Sequence, residues 1–358
     1  MRASCRFSGT IAGVFPSVPQ DGDRDPWGDD VSREIARSSP RAVAGVYGAV
    51  PDGDEEPAWR GRPGDLEDLD DEPVEEPERE IEVVPVRRQL SVAIAGFAAL
   101  LAAGLILGAQ TSGPDARAPY AIVIFGVQIL YVLAWTMAMR PPGPVLVAGV
   151  ALAAGAVADY TAVRTETPRV LPLFYICLIA AALIVIGQFA LRIDRLRVRD
   201  AFGSTFLIVF GVVAFALLIT LTRKPAGTQA VLVCLTAAGV ALLVARLTDA
   251  VYPKPRIAPQ VARGAAGIIA GAMLGTLAAA GLGSVLVLPF TPAKGAIIGL
   301  VAAGLAVLAD LAVNFTEAGR GQFGQAPTFW LARHMQGPLG AFALAAPVAY
   351  VLTVFFLS

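Results

Sequence analysis

Residues 201–222, AFGSTFLIVFGVVAFALLITLT, contain no charged residue. After the short break Arg223-Lys224-Pro225-Ala226, residues 227–247, GTQAVLVCLTAAGVALLVARL, hold a single charge, Arg246. Each run supplies the ~20 apolar residues that a helix needs to cross a ~30 Å hydrocarbon layer. Back-to-back runs joined by a short basic, proline-containing break read as two helices crossing in opposite directions.

The same reading extends outward. Further apolar segments run over about 90–109, 119–139, 143–158, 170–191, 264–288, 294–313 and 338–357, nine segments with the first two. The chain of 358 residues is 56% hydrophobic and only 16% charged. A soluble domain carries about 25% charged residues, so an ordinary soluble globular fold is excluded. The expected fold class is all-α: a polytopic membrane helix bundle of about nine transmembrane helices, occupying residues 87–358, preceded by a disordered acidic tail.

Charge separates the two parts. Residues 1–86 hold 21 of the 29 acidic residues and 9 of the 28 basic ones. This stretch mixes acidic runs with Pro and Gly and is too poor in apolar residues to offset the entropy of ordering, so disorder is expected. It reads first as a solvated cytoplasmic tail, and alternatively as a handle for a basic protein partner. In the body, a cytoplasmic N-terminus places 13 basic residues inside, against 6 outside: Arg117, Arg164, Arg169, Arg223, Lys224 and Lys294. The excess inside supports that orientation, with the C-terminus outside. Only 3 of the basic residues are Lys, which with abundant Ala and Gly suggests a bacterial, GC-rich genome and hence the bacterial inner membrane.

Cysteine and histidine carry little. Three Cys, without a C-x-x-C, and a single His, His334, supply no four-ligand zinc site. Soluble-type nucleotide loops are absent, and no nucleic-acid partner is expected. The glycine series Gly267, Gly271 and Gly275 suits close packing between helices in lipid and is read as internal packing. An Asp at membrane depth is costly and asks for a partner. Asp249 and Asp310 qualify, and both fall near the same membrane face. Arg246 lies three residues before Asp249 on a helical turn, a spacing at which the two could simply pair. Two such acids would also suit Mg²⁺, which favours carboxylate oxygens.

The stretch 244–275, VARLTDAVYPKPRIAPQVARGAAGIIAGAMLG, resembles the middle of the phosphatidate cytidylyltransferases (CDP-diacylglycerol synthases). In that family an Asp-bearing helix end is followed by a basic loop, P-K-I-S-P-K-K-T-x-E-G, and a glycine-rich span. Pro255-Arg256-Ile257-Ala258-Pro259 and Gly264 take the corresponding places. Residues 292–313 resemble the span ending in the family's G-D-L, with Asp310 at its acid, and Ala345-Ala346-Pro347-Val348-Ala349-Tyr350 resembles the opening of its last helix. The resemblance covers about residues 170–358.

The family's signature is degraded here. Asn314-Phe315-Thr316-Glu317-Ala318 stand where S-x-x-K-R is expected, and no K-D follows. Gly337, Pro338, Leu339 and Gly340 fill the D-R-x-D positions. The family reaction joins phosphatidate to CTP and depends on metal and cationic side chains to neutralise phosphate charge. The resemblance therefore implies a related scaffold with lapsed catalysis, acting in phospholipid metabolism by binding or regulation, and a homodimer. If activity persists as a Mg²⁺-dependent nucleotidyltransferase, Asp249, Asp310 and Glu317 would hold the metal. Arg256, Arg263, Arg320, Arg333 and His334 would contact phosphate or an anionic lipid headgroup in either case. The remaining alternative is a small-solute transporter. Membrane lipids are the expected partners throughout.

Overall fold

The computed structural model describes residues 87–111, 117–165, 169–322 and 330–356. The acidic tail, and the expectation of its disorder, lie outside the described residues. The chain divides into two units, Met1–Glu76 and Pro77–Ser358, and every described residue belongs to the second.

Among the described residues there are nine long helices: α1 Arg88–Thr111, α2 Ala118–Met139, α3 Pro144–Arg164, α4 Leu171–Ala190, α5 Arg195–Thr222, α6 Gly227–Val251, α7 Ala265–Val285, α8 Pro292–Gln322 and α9 Trp330–Phe356. Each is long and apolar enough to cross a membrane. The protein is an integral, multi-pass membrane protein with an all-α bundle. Its outer surface agrees: Leu100, Ile122, Met273, Leu277 and Phe355 are all exposed, an arrangement suited to lipid.

The ends of the helices follow local chemistry. Proline occupies the first turn of α2, α3 and α4, where the missing N–H costs nothing. Asp194 caps α5 by accepting from the Leu196 N–H at 3.3 Å. Five helices outrun their apolar segments by four residues or more: α5 starts at Arg195 rather than 201, and α6 continues past 247 to Val251. α3 continues past residue 158 to Arg164, α8 continues past 313 to Gln322, and α9 starts at Trp330 rather than 338. No proline or glycine interrupts residues 156–164, and Asp159, Glu317, Arg320 and Arg333 in the extensions find partners, as described below.

α6 is the hub, packed on α1, α7, α8 and α9, while α3 packs on α2, α4 and α5. α7 lies between α6 and α8. The glycine series sits on that seam: a Cβ at Gly271 would run into the Ala241 carbonyl, and one at Gly275 would come 2.5 Å from the Ala237 carbonyl. The series packs within the chain, as its spacing suggests.

Polar contacts also fix which ends lie together. Arg320 Nη1, near the end of α8, donates to the Ala138 carbonyl near the end of α2 at 2.6 Å. Arg333, at the start of α9, reaches Glu317 of α8. At the opposite face, Arg223 at the end of α5 donates to the Ala162 carbonyl of α3 at 2.7 Å, and Lys224 lies over the Tyr350 ring of α9 at 4.8 Å.

Candidate functional site: a buried four-charge cluster

Two turns of α6 carry Arg246 and Asp249 into the protein. The chain then turns back on itself before α7. Ile257 N–H donates to the Arg263 carbonyl at 3.2 Å, Ala265 N–H donates to the Pro255 carbonyl at 2.9 Å, and Arg256 pairs with Gly264 in an antiparallel bridge. This small hairpin leaves Arg256 half-buried and drives Arg263 inward until its side chain is fully buried.

Arg263 spans two acids. Its Nη1 lies 2.7 Å from Asp249 Oδ2, and its Nη2 lies 3.1 Å from Asp310 Oδ2 on α8. Arg246 Nη2 donates to Asp310 Oδ1 at 2.5 Å. Asp249 Oδ1 in turn accepts the Gly264 N–H at 2.9 Å, at the N-terminus of α7, where the helix dipole favours an anion. The planar guanidinium fork suits this shared contact, which a lysine could not reproduce. Burial and the neighbouring Arg246 pull the Arg263 guanidinium below its usual range, and Asp310 and Asp249 push it back. With a carboxylate against each terminal nitrogen, the guanidinium keeps its proton.

The Arg246–Asp249 pair that the spacing allows is not what forms. Arg246 reaches across to Asp310, and Asp249 is served by Arg263 from the loop. Both acids are fully buried, and taking either out of water costs several kcal/mol unless it is paired; Asp249 already has Arg263 and the Gly264 N–H, which leaves Arg246 to Asp310. The four charges cancel.

Glycine makes the room. A Cβ at Gly267 would strike Asp249 Oδ1, and one at Gly337 on α9 would strike Asp310 Oδ1 and lie 3.6 Å from Arg246 Nη2. Gly337 is thus the point at which α9 closes over the cluster. Beside it, Gln336 is fully buried, with neither amide atom hydrogen-bonded.

The remaining candidates gather farther along α8. Glu317 Oε2 forms an ion pair with Arg333 Nε at 3.0 Å, and its Oε1 accepts from Arg320 Nη1 at 3.5 Å. Arg320 Nη2 also contacts Met139 Sδ at 2.5 Å. His334, on α9 next to Arg333, is half-buried. The structure therefore brings Asp249, Asp310, Arg246 and Arg263 into one cluster, and Glu317, Arg320 and Arg333 into another.

Mg²⁺ requires near-octahedral oxygen ligands, usually one or two carboxylates with water. Among the described residues no three Asp, Glu, His or Cys side chains gather around one point. The two acids of the cluster turn three of their four oxygens to guanidinium groups and the fourth to a backbone N–H. As arranged, these residues do not fit the metal.

Sequence reasoning missed several buried polar residues, among them Gln336, Asp159 and Gln128. Asp159 lay one residue beyond the apolar segment drawn for α3, and Gln128 was passed over as an isolated amide in an apolar run. No protein-family model matches the chain, and no curated protein and no solved structure matches it.

Proposed function

We propose that this membrane protein has a phosphatidate cytidylyltransferase-like scaffold without the cytidylyl-transfer activity, and that it acts in phospholipid metabolism by binding an anionic phospholipid or regulating a partner. The carrying observation is the cluster itself: both acids at the resembling positions are occupied by Arg246 and Arg263. A carboxylate paired in this way cannot also neutralise a metal-bound triphosphate, and transfer chemistry depends on that neutralisation. Three arginines lie near the same ends of the helices, Arg256 in the loop after α6 and Arg320 and Arg333 around Glu317 between α8 and α9, and they support the lipid reading, since each basic residue near an anionic membrane surface contributes about 1 kcal/mol. On the positive-inside argument those ends are cytoplasmic in a bacterial inner membrane.

The test is the full-length protein in nanodiscs containing phosphatidate, supplied with CTP and Mg²⁺. No CDP-diacylglycerol is expected, with a working synthase as control. In native mass spectrometry, retention of phosphatidate over phosphatidylcholine is expected, weakened several-fold when Arg256 and Arg333 are both replaced by Gln. Mg²⁺-dependent product that disappears in Asp310→Asn would replace this reading with an active enzyme. The transport alternative has one observation in its favour, a buried acid on α3 held against the middle of α2, whose chemistry is separate from that of the cluster.

A further inference from the structure

Asp159 is 5% exposed and Gln128 is fully buried. Gln128 stands at the centre of α2, and Asp159 meets it from a point five residues before the end of α3 at Arg164. The Gln128 amide nitrogen donates to Asp159 Oδ1 at 3.0 Å and to the Val212 carbonyl of α5 at 3.1 Å. Both amide hydrogens are then used. Two acceptors remain, Asp159 Oδ2 and Gln128 Oε1, each buried and each without a donor. The space is built for this pair: a Cβ at Gly155, one turn before Asp159, would come 2.8 Å from Gln128 Oε1 and 2.7 Å from Val212 Cγ1.

An ionised carboxylate here is costly unless something neutralises it. In the four-charge cluster arginines do so. Around Asp159 nothing described does. The titratable groups on the helices packed against α3 include Tyr120 and Tyr131 of α2, Cys177 of α4 and Arg223 at the end of α5. Tyr131 O–H donates to the Leu207 carbonyl at 2.9 Å. Arg223 is anchored to the last turn of α3 through Ala162 and Thr165. On α3 itself Arg164 lies over the exposed Tyr160 ring at 5.8 Å. Among the described residues, no ion pair includes Asp159.

A single proton resolves both vacancies. Placed on Oδ2, it turns an acceptor without a donor into a donor, and Oε1 of the same Gln128 amide is the acceptor it can satisfy. The result is a cyclic acid–amide pair with every polar atom used, and no buried charge. We propose that Asp159 and Gln128 form a buried proton-binding site in the helix bundle, with Asp159 holding the proton as a neutral acid against the Gln128 amide. The site is independent of the lipid-binding reading and belongs to a different group of helices.

The experiment is infrared difference spectroscopy on the full-length protein in nanodiscs at neutral pH, comparing wild type with Asp159→Asn in H₂O and D₂O. Expected is a neutral carboxylic-acid C=O band that shifts down in D₂O and is lost in Asp159→Asn. Gln128→Leu is expected to move that band to higher frequency, because the acid carbonyl loses its donor. Asparagine reproduces the shape and pairing of the neutral acid, so Asp159→Asn is expected to keep the wild-type Tm within a few degrees. A carboxylate band in place of the neutral-acid band would overturn the proposal. So would Na⁺ raising the Tm of wild type but not of Asp159→Asn, which would make the occupant a metal cation, and so would failure of Asp159→Asn to fold.

Discussion

Replacing Arg263 by Met tests the cluster directly. Methionine fills a similar volume without charge, but it withdraws the one cation shared by Asp249 and Asp310, 2.7 and 3.1 Å away. Asp310 keeps Arg246 at 2.5 Å, whereas Asp249 keeps only the Gly264 N–H. The cluster moves from neutral to one net negative charge in a buried site. Breaking a buried pair by removing one partner costs about 3–5 kcal/mol, which at 2–4 °C per kcal/mol lowers Tm by roughly 6–20 °C. The assay is thermal unfolding in detergent followed by intrinsic fluorescence. The decisive comparison is Arg263→Met/Asp249→Asn, in which Arg246 and Asp310 remain as a neutral pair. That double variant is expected to recover about 2 kcal/mol, within the range for residues in one network. If Arg263→Met is as stable as wild type, or if the second substitution adds its own loss, the four charges do not act as one neutralised unit and the reasoning fails.

Gly337→Ala places a methyl group against Asp310 Oδ1 and is expected to cost about 1–3 kcal/mol by overpacking, read as a lowered Tm. Gly271→Leu forces α6 and α7 apart at the Ala241 carbonyl and is expected to impair folding, seen as loss of the monodisperse peak in size-exclusion chromatography. Glu317→Gln removes two pairs whose arginine side chains are 24% and 43% exposed, so its cost stays near 1 kcal/mol or below and shrinks with added salt. Arg223→Gln releases the carbonyls at the end of α3 and is expected to increase amide hydrogen exchange at residues 162–165 while leaving the cluster protected.

The sequence exposed the helices because lipid imposes a length and a composition on every crossing. The boundaries were less legible. Apolarity alone ends α3 at residue 158 and α8 at 313, yet both helices continue, because a polar residue costs little once a partner in the fold accepts it. Asp249 and Asp310 stood out for their cost, and they do meet. Their partners did not stand out: spacing on one helix allowed Arg246 with Asp249, while the fold pairs each acid with an arginine distant in sequence. Arg263 looked like one of several loop cations, and nothing local marks it as fully buried. Asp159 was hidden by the early boundary for α3. The cue was present, since residues 156–164 contain no helix breaker and Gln128 is a lone amide in the middle of an apolar span.

The two buried polar sites differ in what they can do with charge. At the cluster each acid is balanced by a guanidinium that cannot release its proton in water's pH range, so any change of charge there requires breaking an ion pair that costs several kcal/mol. Such a site ties α6, the loop into α7 and α8 together, with α9 packed over it at Gly337, and resists opening. The Asp159–Gln128 pair has one acid and no cation. It can gain or lose a proton by exchanging hydrogen bonds, with no ion pair to break. A charge-changing event in this bundle therefore belongs to α2, α3 and α5, while charge is fixed where α6, the loop into α7 and α8 meet.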